Sequence, residues 1–220
     1  MFFCKYNDPF YIKHAKLRIV LQLVSSTTVI QVLSELKEYA SEVDLDFARQ
    51  SIQAISHCAI NYDSAANAAV DILMEIIDSH VNYIVQDAII VMKDIIRRYP
   101  DRFEYTIPTL CNALSVLDHS EAKSALIWIV GEYAERIEDA PELLNAFCEL
   151  FQEEADLVQL QLLTTAVKVF SKHKDTRSQH VVQRLLRKAS TSESPDVRDR
   201  AFIYWRLLSS NVGDVNSVIS

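Results

Sequence analysis

Residues 121–134 read EAKSALIWIVGEYA, an amphipathic helical pattern built around a small residue, Ala125. Similar patterns fill residues 83–96 (YIVQDAIIVMKDII), 158–171 (VQLQLLTTAVKVFS) and 197–210 (VRDRAFIYWRLLSS). The position of Ala125 repeats along the chain at steps of 36, 37, 37, 37 and 39 residues, and it is occupied by Ala15, Ser51, Ala88, Ala125, Leu162 and Ala201. A period of this length is typical of stacked helical hairpins, since one such hairpin cannot bury its apolar face alone.

The repeat therefore predicts an all-α fold, an α-α superhelix of the armadillo/HEAT kind with about five to six helical hairpins. Eleven helices are predicted, at residues 10–24, 27–41, 45–61, 65–79, 82–99, 102–115, 120–136, 141–153, 156–172, 177–189 and 196–209. Asp44, Ser120 and Ser194 are the predicted N-caps of three of them, and Pro100 is expected to end the helix before it. We assign residues 2–210 to one repeat segment and residues 211–220 to a tail or to the start of a further repeat.

Composition excludes several other classes of protein. The 220 residues include two glycines and five prolines, and 50% of them are hydrophobic. These are too few turn formers for a sheet-rich protein and too many apolar residues for a disordered one. The longest apolar run, residues 125–130, is far shorter than the roughly 20 residues of a membrane-spanning helix. The first residues also lack the pattern of a secretory signal.

The sequence contains no recognisable motif for catalysis or for cofactor binding. Gly131 and Gly213 are its only glycines, so a glycine-rich phosphate-binding loop is excluded. The six histidines lack metal-site spacing, and the four cysteines form no C-x-x-C pair. We therefore expect no enzymatic activity, no cofactor and no metal. Cys58, Cys111 and Cys148 fall on apolar helix faces and are expected to be buried.

Charge is distributed unevenly along the chain. The whole chain carries −8, but residues 168–206 contain ten Lys/Arg and four Asp/Glu, a balance of +6 that leaves −14 elsewhere. Such an asymmetry can orient a surface toward anionic lipid, an acidic peptide or a basic partner. The alternative is a solvated face on which Arg198, Asp199 and Arg200 pair with one another or with the neighbouring repeat. Nucleic acid is not expected as a partner, because the chain is acidic overall.

Two tyrosines differ from the other aromatic residues, which mostly have core spacing. Tyr99 and Tyr62 each lie at the predicted end of a helix, where a ring is partly exposed. Tyr99 also follows Arg97 and Arg98 directly. We predict Tyr99, Tyr62, Arg97 and Arg98 to be partner-binding residues.

Both ends of the repeat array carry large apolar residues where a free-standing array needs polar capping repeats. Phe2 and Phe3 lie near the start, and Ile203 and Trp205 lie near the end. We therefore expect the chain to be a piece of a longer solenoid.

Four strings of the sequence resemble the trunk of beta-adaptins, the large beta chains of heterotetrameric clathrin adaptor complexes. They are FFCKYNDP (residues 2–9), ELKEYA (35–40), ALIWIVGEYAERI (125–137) and VRDRAFIYWRLL (197–208). The resemblance covers residues 2 to about 210 and points to the Golgi/endosome or plasma-membrane adaptor types. It implies that the chain is the C-terminal part of a trunk, without the hinge that carries the clathrin-binding motif.

The resemblance also implies a function and a set of partners. A beta-adaptin trunk is a scaffold that packs against the medium chain, the small chain and a second large adaptin, and the complex sorts cargo into coated vesicles. Clathrin would be bound only through the hinge. Membrane association would be peripheral, through the assembled complex, on the cytoplasmic side of trans-Golgi/endosomal or plasma-membrane coated vesicles and pits. The match at residues 97–100 implies that Tyr99 contacts the medium chain. Tyr62 falls near a second contact, where relatives carry a smaller aliphatic residue.

A different helical-repeat scaffold is the alternative interpretation. Nuclear transport receptors and phosphatase scaffolds are built from comparable repeats. Binding to a GTPase or to a phosphatase catalytic subunit would distinguish these classes from an adaptor subunit.

Overall fold

A computed structural model describes residues 3–5, 7–79 and 81–209, with Ser115 described by its backbone alone. All regular secondary structure in this part of the chain is helical. The α-helices are α1 (Phe10–Leu23), α2 (Val29–Ala40), α3 (Leu45–Asn61), α4 (Ala66–Asp78), α5 (Asn82–Arg98), α6 (Ile107–Asn112), α7 (Ser120–Glu132), α8 (Ala140–Glu149), α9 (Asp156–His173), α10 (Thr176–Ser190) and α11 (Pro195–Ser209). Short 3₁₀ turns lie at Asp63–Ala65, Glu104–Thr106, Ala113–Val116 and Ala134–Arg136.

The chain divides into two compact units, residues 1–117 and 118–220. The first unit contains hairpins 1 (α1–α2), 2 (α3–α4) and 3 (α5–α6). Like helices of successive hairpins are in contact, since α3 contacts both α1 and α5, and α4 contacts α2. Within hairpin 2, α3 also packs on its own partner, α4. This arrangement buries an apolar face on each helix that a single hairpin would leave exposed.

The second unit follows the same rule with hairpins 4 (α7–α8) and 5 (α9–α10) and with α11. Helix α9 contacts α7 and α11, and α10 contacts α8. Helix α10 also packs against α9 and α11. The assignment of residues 2–210 to a single repeat segment stays a prediction, and the predicted tail, residues 211–220, lies outside the described residues.

The shared position of the repeat is buried in five of the six predicted places. Ser51, Ala88, Ala125, Leu162 and Ala201 are all buried. Ala15 was wrongly included, because it is exposed while Leu17 and Val20 form the buried face of α1. A constant step of 37 residues places His14 before Ser51, and His14 Nδ1 lies 2.6 Å from Oε1 of Gln50 on α3.

Helices α7 and α9 approach each other closely at Gly131. A Cβ atom added to Gly131 would lie 2.9 Å from Oγ1 of Thr165. The Thr165 hydroxyl donates a hydrogen bond to the carbonyl oxygen of Ile127 at 3.0 Å, so α9 is also tied to the backbone of α7. The glycine is therefore required by packing and not by backbone conformation.

Local sequence sets most helix ends as predicted. The Asp44 carboxylate accepts a hydrogen bond from the Phe47 amide at 3.1 Å and caps α3. Ser120 was wrongly predicted as a cap, since α7 begins at Ser120 and His119 precedes it. The helix predicted at residues 102–115 is regular only over α6, because Pro108 lacks the amide donor that an earlier start would require.

Candidate partner-binding site

Tyr99 lies at the C-terminal end of α5, immediately after Arg97 and Arg98. Both arginines are exposed, and Tyr99 is half-buried. The Tyr99 hydroxyl donates a hydrogen bond to the carbonyl oxygen of Ala59 at 3.0 Å. That carbonyl belongs to the last turn of α3, where helix carbonyls lack intrahelical partners. The hydroxyl of Tyr99 therefore links hairpin 3 to hairpin 2.

Tyr62 makes the same kind of link one repeat earlier. It follows α3 directly, and its hydroxyl donates a hydrogen bond to the carbonyl oxygen of Val24, at the end of α1, at 2.8 Å. The separation of 37 residues between Tyr62 and Tyr99 equals one repeat, so the two tyrosines occupy equivalent positions in successive hairpins. Their hydroxyls serve packing between repeats, and a partner could reach only the half-exposed rings.

Three further residues complete the surface around Tyr99 and were not predicted from the sequence. The Arg102 guanidinium carbon lies 5.5 Å from the Tyr99 ring centroid and 5.4 Å from that of Phe103. Arg98 lies 5.5 Å from the Tyr99 ring, and Tyr105 is 63% exposed. We call Arg98, Tyr99, Arg102, Phe103 and Tyr105 the arginine–aromatic corner.

The corner is anchored to the preceding hairpin by Arg102. Its Nη1 donates to the Asp63 carboxylate at 2.7 Å, and its Nε donates to Oδ1 of Asn67 at 3.0 Å. Asp63 and Asn67 precede Arg102 by 39 and 35 residues, close to one repeat. A search for charge pairs at the repeat spacing could therefore have found Arg102. Arg98 stacks on Tyr99 but has no carboxylate partner among the described residues, so its N–H donors are available to a ligand.

The basic window, residues 168–206, is largely engaged inside the second unit. Lys168 Nζ lies 2.7 Å from the Glu132 carboxylate, and Arg177 Nη1 lies 2.7 Å from that of Glu142. Hydrogen bonding and charge from Arg184 hold the pKa of the Glu149 carboxyl below its ordinary value.

The remaining engaged cations of this window bind backbone carbonyls. Lys188 Nζ donates to the Glu149 carbonyl at 3.1 Å. Arg198 donates from Nη1 to the carbonyls of Ser192 at 2.6 Å and Glu193 at 2.9 Å, and not to Asp199. Pairing with the neighbouring repeat, one of the two predicted alternatives, thus accounts for much of the charge asymmetry.

No group of three or more His, Cys, Asp or Glu side chains in the described residues is placed to hold a metal ion. Burial raises the pKa of the Cys58, Cys111 and Cys148 thiols to about 11, which makes them poor nucleophiles at neutral pH. None of the described helices combines the length and the apolarity that crossing a membrane requires.

The described helices and their packing define a helical-repeat protein. Two solved structures share this architecture. A designed armadillo repeat protein matches with a TM-score of 0.57 and 13% identity, covering 89% of this chain and 93% of the other. An engineered protein matches with a TM-score of 0.56 and 14% identity, covering 93% of this chain and 93% of the other. This similarity, at low sequence identity, concerns the fold alone and confirms the armadillo/HEAT-like fold class predicted from the repeat.

A family model described as "Adaptin N terminal region" matches residues 1–211, and the chain belongs to the adaptin family. AP-1 complex subunit beta-1 of Mus musculus is 53% identical over 212 residues, covering 96% of this chain and 22% of the relative. AP-1 complex subunit beta of Dictyostelium discoideum is 49% identical over 219 residues, covering 100% of this chain and 23% of the relative. AP-2 complex subunit beta of Schizosaccharomyces pombe is 41% identical over 211 residues, covering 96% of this chain and 31% of the relative.

The comparisons confirm the resemblance to beta-adaptins but correct one part of it. The predicted placement in the C-terminal part of a trunk was wrong, since the matching family model is that of the adaptin N-terminal region. The chain spans less than one third of the length of these relatives.

Proposed function

We propose that the chain is part of the beta subunit of a clathrin-associated adaptor complex and acts as a scaffold in vesicle-mediated intracellular protein transport. The observation that carries the proposal is the adaptin match over residues 1–211, together with 53% identity to the beta-1 subunit of the AP-1 complex. Stacked hairpins support it, because they offer long surfaces for binding. In this proposal the chain acts by binding and not by catalysis.

The proposed partners are the medium and small chains and a second large adaptin. Clathrin is proposed to bind through a hinge outside residues 1–220. Membrane association is proposed to be peripheral and to depend on the assembled complex, on trans-Golgi/endosomal or plasma-membrane coated vesicles. Membership of the adaptin family favours this assignment over a nuclear transport receptor or a phosphatase scaffold.

Within this scaffold, the proposed contact with the medium chain is the arginine–aromatic corner with Arg97. Arg97 and Arg98 are exposed, and stacking on Tyr99 fixes the Arg98 guanidinium for bidentate contacts. Tyr99 contributes its ring, because its hydroxyl is bound to Ala59. Tyr62 is retained as a second, weaker candidate, because its hydroxyl is bound to Val24.

A pull-down with the full-length parent protein as bait tests the scaffold role. Recovery of a medium chain, a small chain and a second large adaptin is the expected result, and the identity of the second large chain would name the adaptor type. Recovery of none of the three would refute the proposal.

A variant pair tests the proposed contact residues. Arg97→Glu with Arg98→Glu should reduce recovery of the medium chain. Arg18→Glu with Arg187→Glu is the matched control, since both residues are exposed arginines away from the corner. Equal loss in both variants would point to a general charge effect and would count against the corner.

A further inference from the structure

Exposed apolar side chains of the first unit concentrate at one end of its first helices. Among the described residues of this unit, ten large hydrophobic side chains are exposed. Six of the ten lie at or just before the starts of α1, α3 and α5, namely Phe10, Tyr11, Val43, Leu45, Val81 and Tyr83. We call these six residues the apolar edge. Exposed apolar residues that are scattered singly are ordinary, whereas a cluster of them marks an interaction surface.

Ion pairs between successive hairpins show that the three parts of the apolar edge are neighbours. Lys13 of α1 pairs at 2.5 Å with Glu42, which directly precedes Val43. Arg49 in the second turn of α3 pairs at 3.1 Å with Asp87 in the second turn of α5. Because packed helices lie about 8–10 Å apart, the starts of the three helices extend over roughly 20 Å.

The same end of the first unit carries carboxylates that are free to bind a cation. Its helix cations are used in pairs at the repeat spacing, namely Lys13 with Glu42, Lys37 with Glu75, and Arg49 with Asp87. Glu38, Asp46 and Asp78 are exposed and have no cationic partner among the described residues. Glu38 and Asp78 belong here because α2 and α4 end only four and three residues before α3 and α5. Lys5 is exposed before α1, so the acidic character is strongest around α3 and α5.

The apolar edge lies at the opposite end of α3 and α5 from Tyr62 and Tyr99. These tyrosines directly follow the last residues of the two helices, which are each 17 residues long. A helix of this length extends over about 25 Å. The apolar edge is therefore separate from the arginine–aromatic corner and from the proposed contact with the medium chain.

We propose that the apolar edge binds a basic amphipathic helix of another protein chain. Apolar side chains of this helix cover Leu45 and Tyr83, and its lysine or arginine side chains pair with Glu38, Asp46 and Asp78. A helix of about 14 residues spans the roughly 20 Å of the edge. The free carboxylates would repel an anionic lipid surface, which favours a protein over a membrane as the occupant. This binding surface is independent of the proposed adaptor role.

A defined peptide provides the test of the apolar contact. The probe is a fluorescein-labelled helix of about 14 leucines and lysines with the leucines on one face, and fluorescence anisotropy measures its binding to the chain. Leu45→Ser with Tyr83→Ser should weaken the binding about tenfold, because both changes remove apolar surface. Leu150→Ser with Leu157→Ser is the matched control, since these residues of the second unit are similarly exposed, and it should leave the binding unchanged.

A second pair of variants tests the contribution of charge. Asp46→Asn with Asp78→Asn should weaken the binding about threefold at low ionic strength and reduce its dependence on salt. Glu121→Gln with Glu138→Gln neutralises two exposed carboxylates of the second unit and should have no effect. A peptide with glutamate in place of lysine should not bind.

Equal weakening by the serine variants of both units would overturn the proposal, since the peptide would then have no preferred site. Two other occupants of the apolar edge would also overturn it. Self-association in sedimentation equilibrium that Leu45→Ser with Tyr83→Ser abolishes would identify a second copy of the chain. Binding to vesicles of phosphatidylcholine and phosphatidylserine that the same variant abolishes would identify a membrane. Far-UV circular dichroism of each variant ensures that the helices are retained.

Discussion

Replacing Tyr99 by phenylalanine separates a packing role from a binding role for this residue. The change removes only the hydroxyl that donates to the Ala59 carbonyl at 3.0 Å and keeps the ring beneath Arg98 and Arg102. If the hydroxyl links hairpins 2 and 3, the isolated chain must lose stability. If Tyr99 serves only a partner, the isolated chain must not change.

The expected loss follows from the position of the acceptor. Ala59 lies in the last turn of α3, where its carbonyl has no intrahelical donor. A hydrogen bond of this kind contributes about 1 kcal/mol net, and more where the abandoned acceptor stays dry. Ala59 itself is fully buried, so the abandoned carbonyl stays largely dry, and we expect a loss of about 1–3 kcal/mol. For a chain of this length, each 1 kcal/mol of lost stability lowers Tm by roughly 2–4 °C.

Thermal and urea denaturation followed by circular dichroism measure this loss. Tyr11→Phe is the matched control, because Tyr11 is 72% exposed and has no hydrogen bond to the described residues. A Tyr99→Phe variant with the Tm of the Tyr11→Phe control would refute the inter-repeat role of the hydroxyl. The same variant in the pull-down should retain the medium chain if the ring alone makes the contact.

Gly131→Val should destabilise the chain by about 1–3 kcal/mol in urea unfolding, since it overpacks the contact with Thr165, and the loss should shrink in a Thr165→Ala background. Arg184 lowers the pKa of Glu149, so the pair stabilises the fold above the ordinary carboxyl pKa, and this contribution disappears as the pH falls through the lowered pKa. Glu149→Gln should therefore flatten the loss of stability between about pH 5 and pH 3, and an unchanged slope would contradict this. Cys58, with its pKa raised to about 11, should react slowly with iodoacetamide at about pH 8 until denaturant is added, as peptide mass spectrometry can show.

Local sequence signals were sufficient to predict most of the helices, but not the full course of the segment around α6 or the register of every repeat. Asp44 and Pro100 mark helix ends through local hydrogen bonding and sterics, which the sequence displays directly. The shared position of the repeat depends on which residue of α1 faces α3, a tertiary property. Ala15, a small residue at nearly the right spacing, was therefore mistaken for the residue equivalent to Ser51. The step of 37 residues assigns the position equivalent to Ser51 to His14.

The candidate site was predicted only in part, for a related reason. The sequence placed Tyr62 and Tyr99 correctly at helix ends, but the partners of their hydroxyls lie 38 and 40 residues away. The spacing of 37 residues between the two tyrosines was a usable signal of structural equivalence. His173 follows Tyr99 by two steps of 37 residues, and its Nε2 lies 2.7 Å from the Ala134 carbonyl. A side chain at this position of the repeat thus again contacts a backbone carbonyl of the preceding hairpin.

The charge asymmetry of the second unit follows from the direction of its helices. Hairpin 5 places Lys168, Arg184 and Lys188 at the C-terminal ends of α7 and α8. Unpaired carbonyls and the negative end of the helix dipole favour cations at these ends. Residues 118–167 carry eleven acidic and two basic side chains, so the acidic partners precede the basic window by about one repeat. Attraction of an anionic surface by this window must then depend on the four cations whose side chains have no partner among the described residues, Lys174, Arg187, Arg200 and Arg206. This is a much weaker field than the net charge of +6 suggests.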